Sequence, residues 1–218
     1  MRLTLASSSP RRRELLSLLQ IPFDVVEPDD VEEPHPDLGP AALAALYAER
    51  KALSCAERCP DCLVLGSDTL IALEDKRASV PRTEVLGKPV DLAEARAMLR
   101  RLRGQEHVIH TAVALICKRD RVADLASEQV RVWMRHVSDA EVEAYLCTQE
   151  SLGKAGAYSI QGEGARLIDR IQGDFTAAVG LPLRLVADLL HRRGVRLPVD
   201  VGALYREKLF PNWARFST

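Results

Sequence analysis

The sequence carries almost no net charge: 30 Lys and Arg against 31 Asp and Glu leave −1 over 218 residues. That balance argues against a dedicated nucleic-acid binder, which would show a basic excess. No apolar run approaches the ~20 residues of a membrane-spanning helix. Arginines at 11–13 break up the N-terminal region before a signal peptide's apolar core could form, which predicts a cytoplasmic protein with no membrane partner. Five cysteines, an odd number, suit reduced thiols better than a disulfide framework. Cys59-Pro-Asp-Cys62, with Cys55 just upstream, lacks a second ligand pair at zinc spacing, leaving a redox pair or incidental thiols. His35, His107, His110, His136 and His191 share no metal-ligand spacing and read as structural or exposed. A GxSxG elbow is missing, which removes the serine hydrolases. Gly87-Lys88-Pro89 is not a phosphate-binding P-loop, because the earlier glycine and the following hydroxyl are both absent. Neither an internal repeat nor a low-complexity linker divides the chain.

What the sequence does contain is organised around Leu3 to Leu16, LTLASSSPRRRELL. An apolar strand over Leu3 to Ala6 gives way to Ser7, Ser8 and Ser9, and Pro10 then stands where a first helical turn tolerates it best. Ser9 suits the N-cap. Arg11, Arg12 and Arg13 follow in the first turn, where the helix dipole favours anions over cations. Stability alone does not account for that placement. Free N–H groups, hydroxyls and guanidinium forks together suit a multiply charged anion such as a polyphosphate, the alternative being a solvated basic turn.

Further along, Phe23 to Glu27 reads as a strand and Pro28 to Pro40 as an acidic loop, solvated or metal-binding, with Asp29, Asp30, Glu32 and Glu33. The spacing predicts a helix over 41–55 with Leu43, Leu46, Tyr47 and Leu53 inward and Glu49, Arg50 and Lys51 on or beside the polar side. Leu63-Val64-Leu65 is a short buried strand running into Gly66-Ser67-Asp68-Thr69, where Asp68 is either a turn former or a rigidly held functional acid. Residues 74–79 read as a hairpin-like loop. Asp91 with Glu94, and Ser138 with Glu141, are capping boxes for two helices, the first closed by Gly104. The LRRLR run at its end reads as a solvated face. Strands are expected at 107–117, about 127–137 and 167–171, and a helix at 181–193. Residues 153–164 are rich in glycine and alanine, either to admit a ligand close to the backbone or as a plain turn. The tail from 195 to 218 is expected to pack loosely or extend. Interleaved helices and strands with hairpins predict an α/β fold with a mixed sheet.

Six segments, in order, resemble the Maf family of nucleoside triphosphate pyrophosphatases: LASSSPRRRELL at 5–16, LGSDTLIAL at 65–73, LGKP at 86–89, HVIHTAVAL at 107–115, GKAGAYSIQG at 153–162 and GDFTAAVGLPL at 173–183. The resemblance implies one domain over 1–197, built as a two-lobed fold with a curved mixed sheet and a central cleft like that of the inosine triphosphatases. Residues 198–218 then form a C-terminal tail outside it. It also implies a homodimer that hydrolyses a nucleotide between its α and β phosphates, using a divalent cation, Mg²⁺ or else Mn²⁺ or Co²⁺.

Matched residue by residue, Asp68 falls at the family's proton acceptor, and Arg11, Thr69 and Gln161 at its specificity positions. Ser7, Arg12, Lys51 and Lys88 fall at other cleft positions, as does Glu33 or its neighbour Glu32, with Glu33 and Asp68 as the metal acids. GKAGAYSIQG resembles the branch acting on dTTP and UTP, a nucleotide-pool house-cleaning role, more than the branch acting on 7-methyl-GTP. The chain departs from the family at Gly153, commonly Asp, and at Ser159, commonly Gly. The residue chemistry agrees with hydrolysis, which needs cations for developing charge, carboxylates for a metal and a base for water. A non-catalytic regulator of cell division binding nucleotide or nucleic acid is the alternative class.

Overall fold

The computed structural model describes residues 2–29, 33, 35–75 and 82–216. Along the chain run β1 (Leu3–Ala6), α1 (Pro10–Ser17), β2 (Phe23–Val26), α2 (Pro40–Arg58), β3 (Leu63–Asp75), β4 (Arg82–Leu86), α3 (Leu92–Leu102) and β5 (Glu106–Cys117). Then follow β6 (Val122–Met134), α4 (Asp139–Leu146), β7 (Ile168–Gln172), α5 (Phe175–Val179), α6 (Leu183–Arg192) and α7 (Val201–Glu207). The strands make an open seven-stranded sheet in the order β2-β1-β3-β5-β6-β7, with β4 on β3. It is mixed, as the hairpin signals required: β1 pairs parallel with β2 and β3, whereas β3–β4 and β6–β7 are antiparallel. Asp30, Glu32 and most of the loop read at 74–79 lie outside the described residues.

The chain divides into two compact units. The first comprises residues 1–69, 111–128 and 180–208. Its core is made where α1 and α2 lay Leu15, Leu16, Leu19, Tyr47 and a row of alanines against the strands. Those alanines, Ala44, Ala48, Ala52 and Ala56, are all but inaccessible, while Leu46 is half-buried and Leu53 is exposed. The buried face of α2 is therefore set by these small residues together with Leu43 and Tyr47, rather than by Leu46 and Leu53. The reason is close approach: a Cβ on Gly66 of β3 would stand 2.3 Å from the Ala48 carbonyl oxygen and 2.8 Å from the Ala52 nitrogen. Gly66 is thus not a turn residue. Residues 63–75 form one uninterrupted strand of 13 residues, so Asp68 is a mid-strand side chain, lying between the part of β3 that pairs with β1, up to Gly66, and the part that pairs with β4, from Ile71.

The second unit comprises residues 70–110, 129–179 and 209–218. The Ser138/Glu141 capping box is complete on α4. On α3 the Asp91 side chain accepts from the Glu94 N–H, but the Glu94 carboxylate turns back to the Val90 N–H, so the box is only half made. The LRRLR run is split: Leu99 and Leu102 are buried, while Arg100 and Arg101 pair with Asp139 and Glu84. The tail departs from its expectation in part: α7 buries no residue, but the aromatic residues after it pack into a core. Residues 201–207 form α7 in the first unit, and Phe210, Trp213 and Phe216 are buried in the second. Trp213 and Phe216 stack on Phe175, with centroids 5.8 and 6.3 Å apart.

Candidate active site

In the first unit the serine-arginine turn is held from within. The Ser9 side chain does not cap α1. Instead the buried Ser7 hydroxyl accepts the Ser9 N–H at 3.1 Å, while the Ser7 N–H bonds the Val26 carbonyl of β2. The first turn of α1 contains no acid, so its dipole and its arginines present one sign of charge. Arg11 and Arg12 are half-buried and Arg13 is exposed.

Arg12 is anchored at two points. Its Nε donates to the Gly180 carbonyl at 3.0 Å and an Nη to the Thr69 hydroxyl at 3.3 Å. The Thr111 hydroxyl donates to the same Thr69 oxygen at 3.1 Å. A hydroxyl has two acceptor positions and one donor, so Thr69 with both acceptors filled keeps its proton for a ligand. Gly180 closes the cluster, with φ +125° and a virtual Cβ 3.3 Å from the Thr69 hydroxyl. Beneath it, the fully buried Ser67 hydroxyl lies 2.9 Å from the Ala112 carbonyl and 3.0 Å from that of Gly180. Thr111, Gly180 and Ser67 have no assigned role in the sequence reading. Their signal was present in HVIHTAVAL and GDFTAAVGLPL, but only the fold shows that these segments meet LGSDT.

On α2, next to the Ala52 that packs on Gly66, Lys51 reverses its expected place on the polar side. It is 9% exposed, and its ammonium donates to Asp68 Oδ1 at 2.5 Å. Asp68 is itself 4% exposed. Its second oxygen, Oδ2, is buried without a hydrogen-bond partner among the described residues. A bare buried carboxylate oxygen is costly unless something donates to it or coordinates it. Glu33 is exposed; its carboxylate lies 3.6 Å from Arg50, and its carbonyl accepts the Tyr47 hydroxyl at 2.6 Å. Among the described residues no three His, Cys, Asp or Glu side chains gather into a metal site. That donor set fits Mg²⁺, which takes one or two carboxylates and completes its shell with water and substrate phosphates.

Lys88 and Gln161 belong to the second unit. Lys88 is exposed, and the neighbouring Gly87 carbonyl accepts the Gly156 N–H at 3.0 Å, joining LGKP to the glycine-rich segment. Gln161 is half-buried, and its Oε1 is buried without a partner among the described residues. Upstream, Tyr158 is fixed by a 2.6 Å hydrogen bond between its hydroxyl and His107 Nε2. Burial pushes the His107 imidazole down to about 3 and the Tyr158 phenol up, so both are neutral.

The sequence model of Maf-like protein matches residues 2–193. The chain belongs to the Maf family. It is 40% identical over 192 residues to a dTTP/UTP pyrophosphatase of Pelotomaculum thermopropionicum, covering 88% of this chain and 96% of that one. A dTTP/UTP pyrophosphatase of Caldanaerobacter subterraneus is 38% identical over 210 residues, covering 95% and 97%. One of Moorella thermoacetica is 42% identical over 195 residues, covering 89% and 96%. The Maf match stops short of residues 198–218.

Proposed function

We propose that the protein hydrolyses dTTP and UTP to the monophosphate and pyrophosphate. The observation that carries this reading is Asp68: a carboxylate clamped on one oxygen by Lys51, with the other bare and buried. Membership of the Maf family, and relatives named dTTP/UTP pyrophosphatase, support the same chemistry. They favour the pyrimidine branch over the 7-methyl-GTP branch.

In this reading Asp68 Oδ2 takes the proton of the water that attacks the α-phosphorus. Lys51 holds the carboxylate in place. Arg11, Arg12 and Lys88 bind the phosphates, and Ser7 fixes the turn that presents the arginines. Asp68 and Glu33 would hold Mg²⁺, which when bound neutralises charge on the phosphates and the leaving pyrophosphate. Thr69 and Gln161 contact the base or its sugar. The resemblance supports a homodimer, which gel filtration with light scattering tests. Five free thiols support a reducing, cytoplasmic setting, and no described helix is long and apolar enough to cross a membrane.

The test is a panel of UTP, dTTP, ATP, GTP and 7-methyl-GTP with Mg²⁺, with Mn²⁺ and with chelator, read with and without inorganic pyrophosphatase. Pyrophosphate from UTP and dTTP in the metal arms is expected. Orthophosphate without the coupling enzyme overturns the reading, and a silent panel supports a binding module instead.

A further inference from the structure

The tail places one polar side chain against the segment that carries Gln161. Asn212 donates its side-chain amide to the Ile160 carbonyl at 3.1 Å and to the Gly162 carbonyl at 3.0 Å. Those two carbonyls bracket Gln161. An amide NH₂ has two donors, and two carbonyl acceptors use both. The peptide plane before Gln161 and the one after Gly162 are thereby fixed, and with them the stretch of backbone that carries the Gln161 side chain. Gly162 and Gly164 leave this stretch little stiffness of its own. The stretch is also tied by the Glu150 carboxylate, which accepts the Gly164 N–H at 2.9 Å, and by the Ala165 N–H, which donates to the Gly162 carbonyl at 3.2 Å.

Asn212 is in turn held firmly. Its backbone is left-handed, φ 62°, a conformation asparagine tolerates better than most residues. The next residue, Trp213, is 3% exposed and stacked on Phe175.

We infer that Asn212 is a positioning residue for base selection, acting through the backbone around Gln161. The inference rests on the reading that Gln161 selects the base. The bare Oε1 of Gln161 suits the N3–H of a uracil or thymine ring, and the rest of its amide suits the adjacent carbonyl. Adenine, whose N1 is an acceptor and carries no proton, offers that oxygen no ring N–H and gains nothing from a Gln161 held in that direction.

The experiment compares kcat/KM for UTP with that for ATP in Asn212→Gly, Asn212→Asp, Gln161→Ala and the double variant of Asn212→Gly with Gln161→Ala. Asn212→Gly keeps the left-handed backbone without the amide. Asn212→Asp keeps the shape but cannot donate. The UTP/ATP ratio does not depend on how much of a sample is folded, so loss of stability cannot imitate the effect. Each Asn212 variant is expected to lower the ratio about tenfold, the worth of one hydrogen bond to substrate. The double variant should be no worse than Gln161→Ala alone. An unchanged ratio in both Asn212 variants, with Gln161→Ala lowering it, overturns the inference and leaves Gln161 as the base reader. Additive losses in the double variant also overturn it. An unchanged ratio in Gln161→Ala removes the reading of Gln161, and this inference falls with it.

Discussion

Lys51 reaches across from the buried face of α2 and bonds only one oxygen of Asp68, leaving the other oxygen bare in the middle of β3. An ion pair built for stability alone would satisfy both oxygens, because an unpaired buried polar atom costs about 1–3 kcal/mol. The asymmetry is what a site awaiting water or a cation requires. Asp68→Asn should therefore keep the fold while turnover falls by ~10²–10⁴-fold, the range for losing a general base. Pyrophosphate release and a thermal melt of the same sample check it. Parental rates would make Asp68 a structural residue only.

The same pair can be separated into its stabilising and chemical roles. Lys51→Met leaves the Asp68 charge buried and unpaired, and should destabilise by about 3 kcal/mol. Combining Lys51→Met with Asp68→Leu removes both charges and should recover most of that stability, since apolar replacement of a whole buried pair is often neutral. Activity should stay absent. Urea titrations of the single and double variants give the comparison. A double variant as unstable as the single would mean that packing at Gly66, rather than charge, sets the cost.

Gly66 is the residue that lets Lys51 come so near. A methyl group there would stand 2.3 Å from the Ala48 carbonyl oxygen, which is backbone and cannot swing away. Gly66→Ala must push α2 from β3, at about 1–3 kcal/mol for overpacking. The Lys51–Asp68 contact would lengthen with it. A melting temperature lower by several degrees, together with a loss of kcat, is expected from a residue that touches no substrate. Unchanged kcat would show that α2 can shift without disturbing Asp68.

How far this arrangement could be read from the sequence varies by element. Strands and helices whose apolar spacing was regular, such as β1, β5 and α2, stand within a few residues of their expected places. Asp68 drew attention as an acid beside a hydroxyl, but Gly66-Ser67-Asp68 suggested a turn because those residue types favour turns. The continuous run of β3 from Leu63 to Asp75 overrode that preference. Lys51 looked polar because it is charged, and only its partner 17 positions away explains its burial. Arg12, Thr69, Thr111 and Gly180 come from four separate segments, so no local pattern could group them. The tail did carry a signal: Phe210, Trp213 and Phe216 fall three apart, in a chain with only four Phe and two Trp. Half of those rings in nine last residues mark a packed segment.

Acid should weaken the second unit through His107. In the fold it is almost fully buried against Tyr158, and burial moves it from 6.5 down to about 3. Below pH 6.5 the unfolded chain takes up a proton that the folded histidine refuses. Stability is therefore complete above that pH and falls as pH drops toward 3. The loss should reach about 1–2 kcal/mol by pH 5. His110, lowered by partial burial, adds to it in the same direction. The carboxylates held down by arginine, among them Asp124 and Asp139, contribute only near and below their ordinary value of 3.8. The window from pH 6.5 to 5 thus belongs to histidine. His107→Gln, which still offers the Tyr158 hydroxyl a partner, should flatten the stability profile there while leaving the steeper fall near pH 4. Urea midpoints at half-unit pH steps for the parent and the variant make the measurement. Parallel profiles would show that His107 is protonated in the fold as readily as in the unfolded chain.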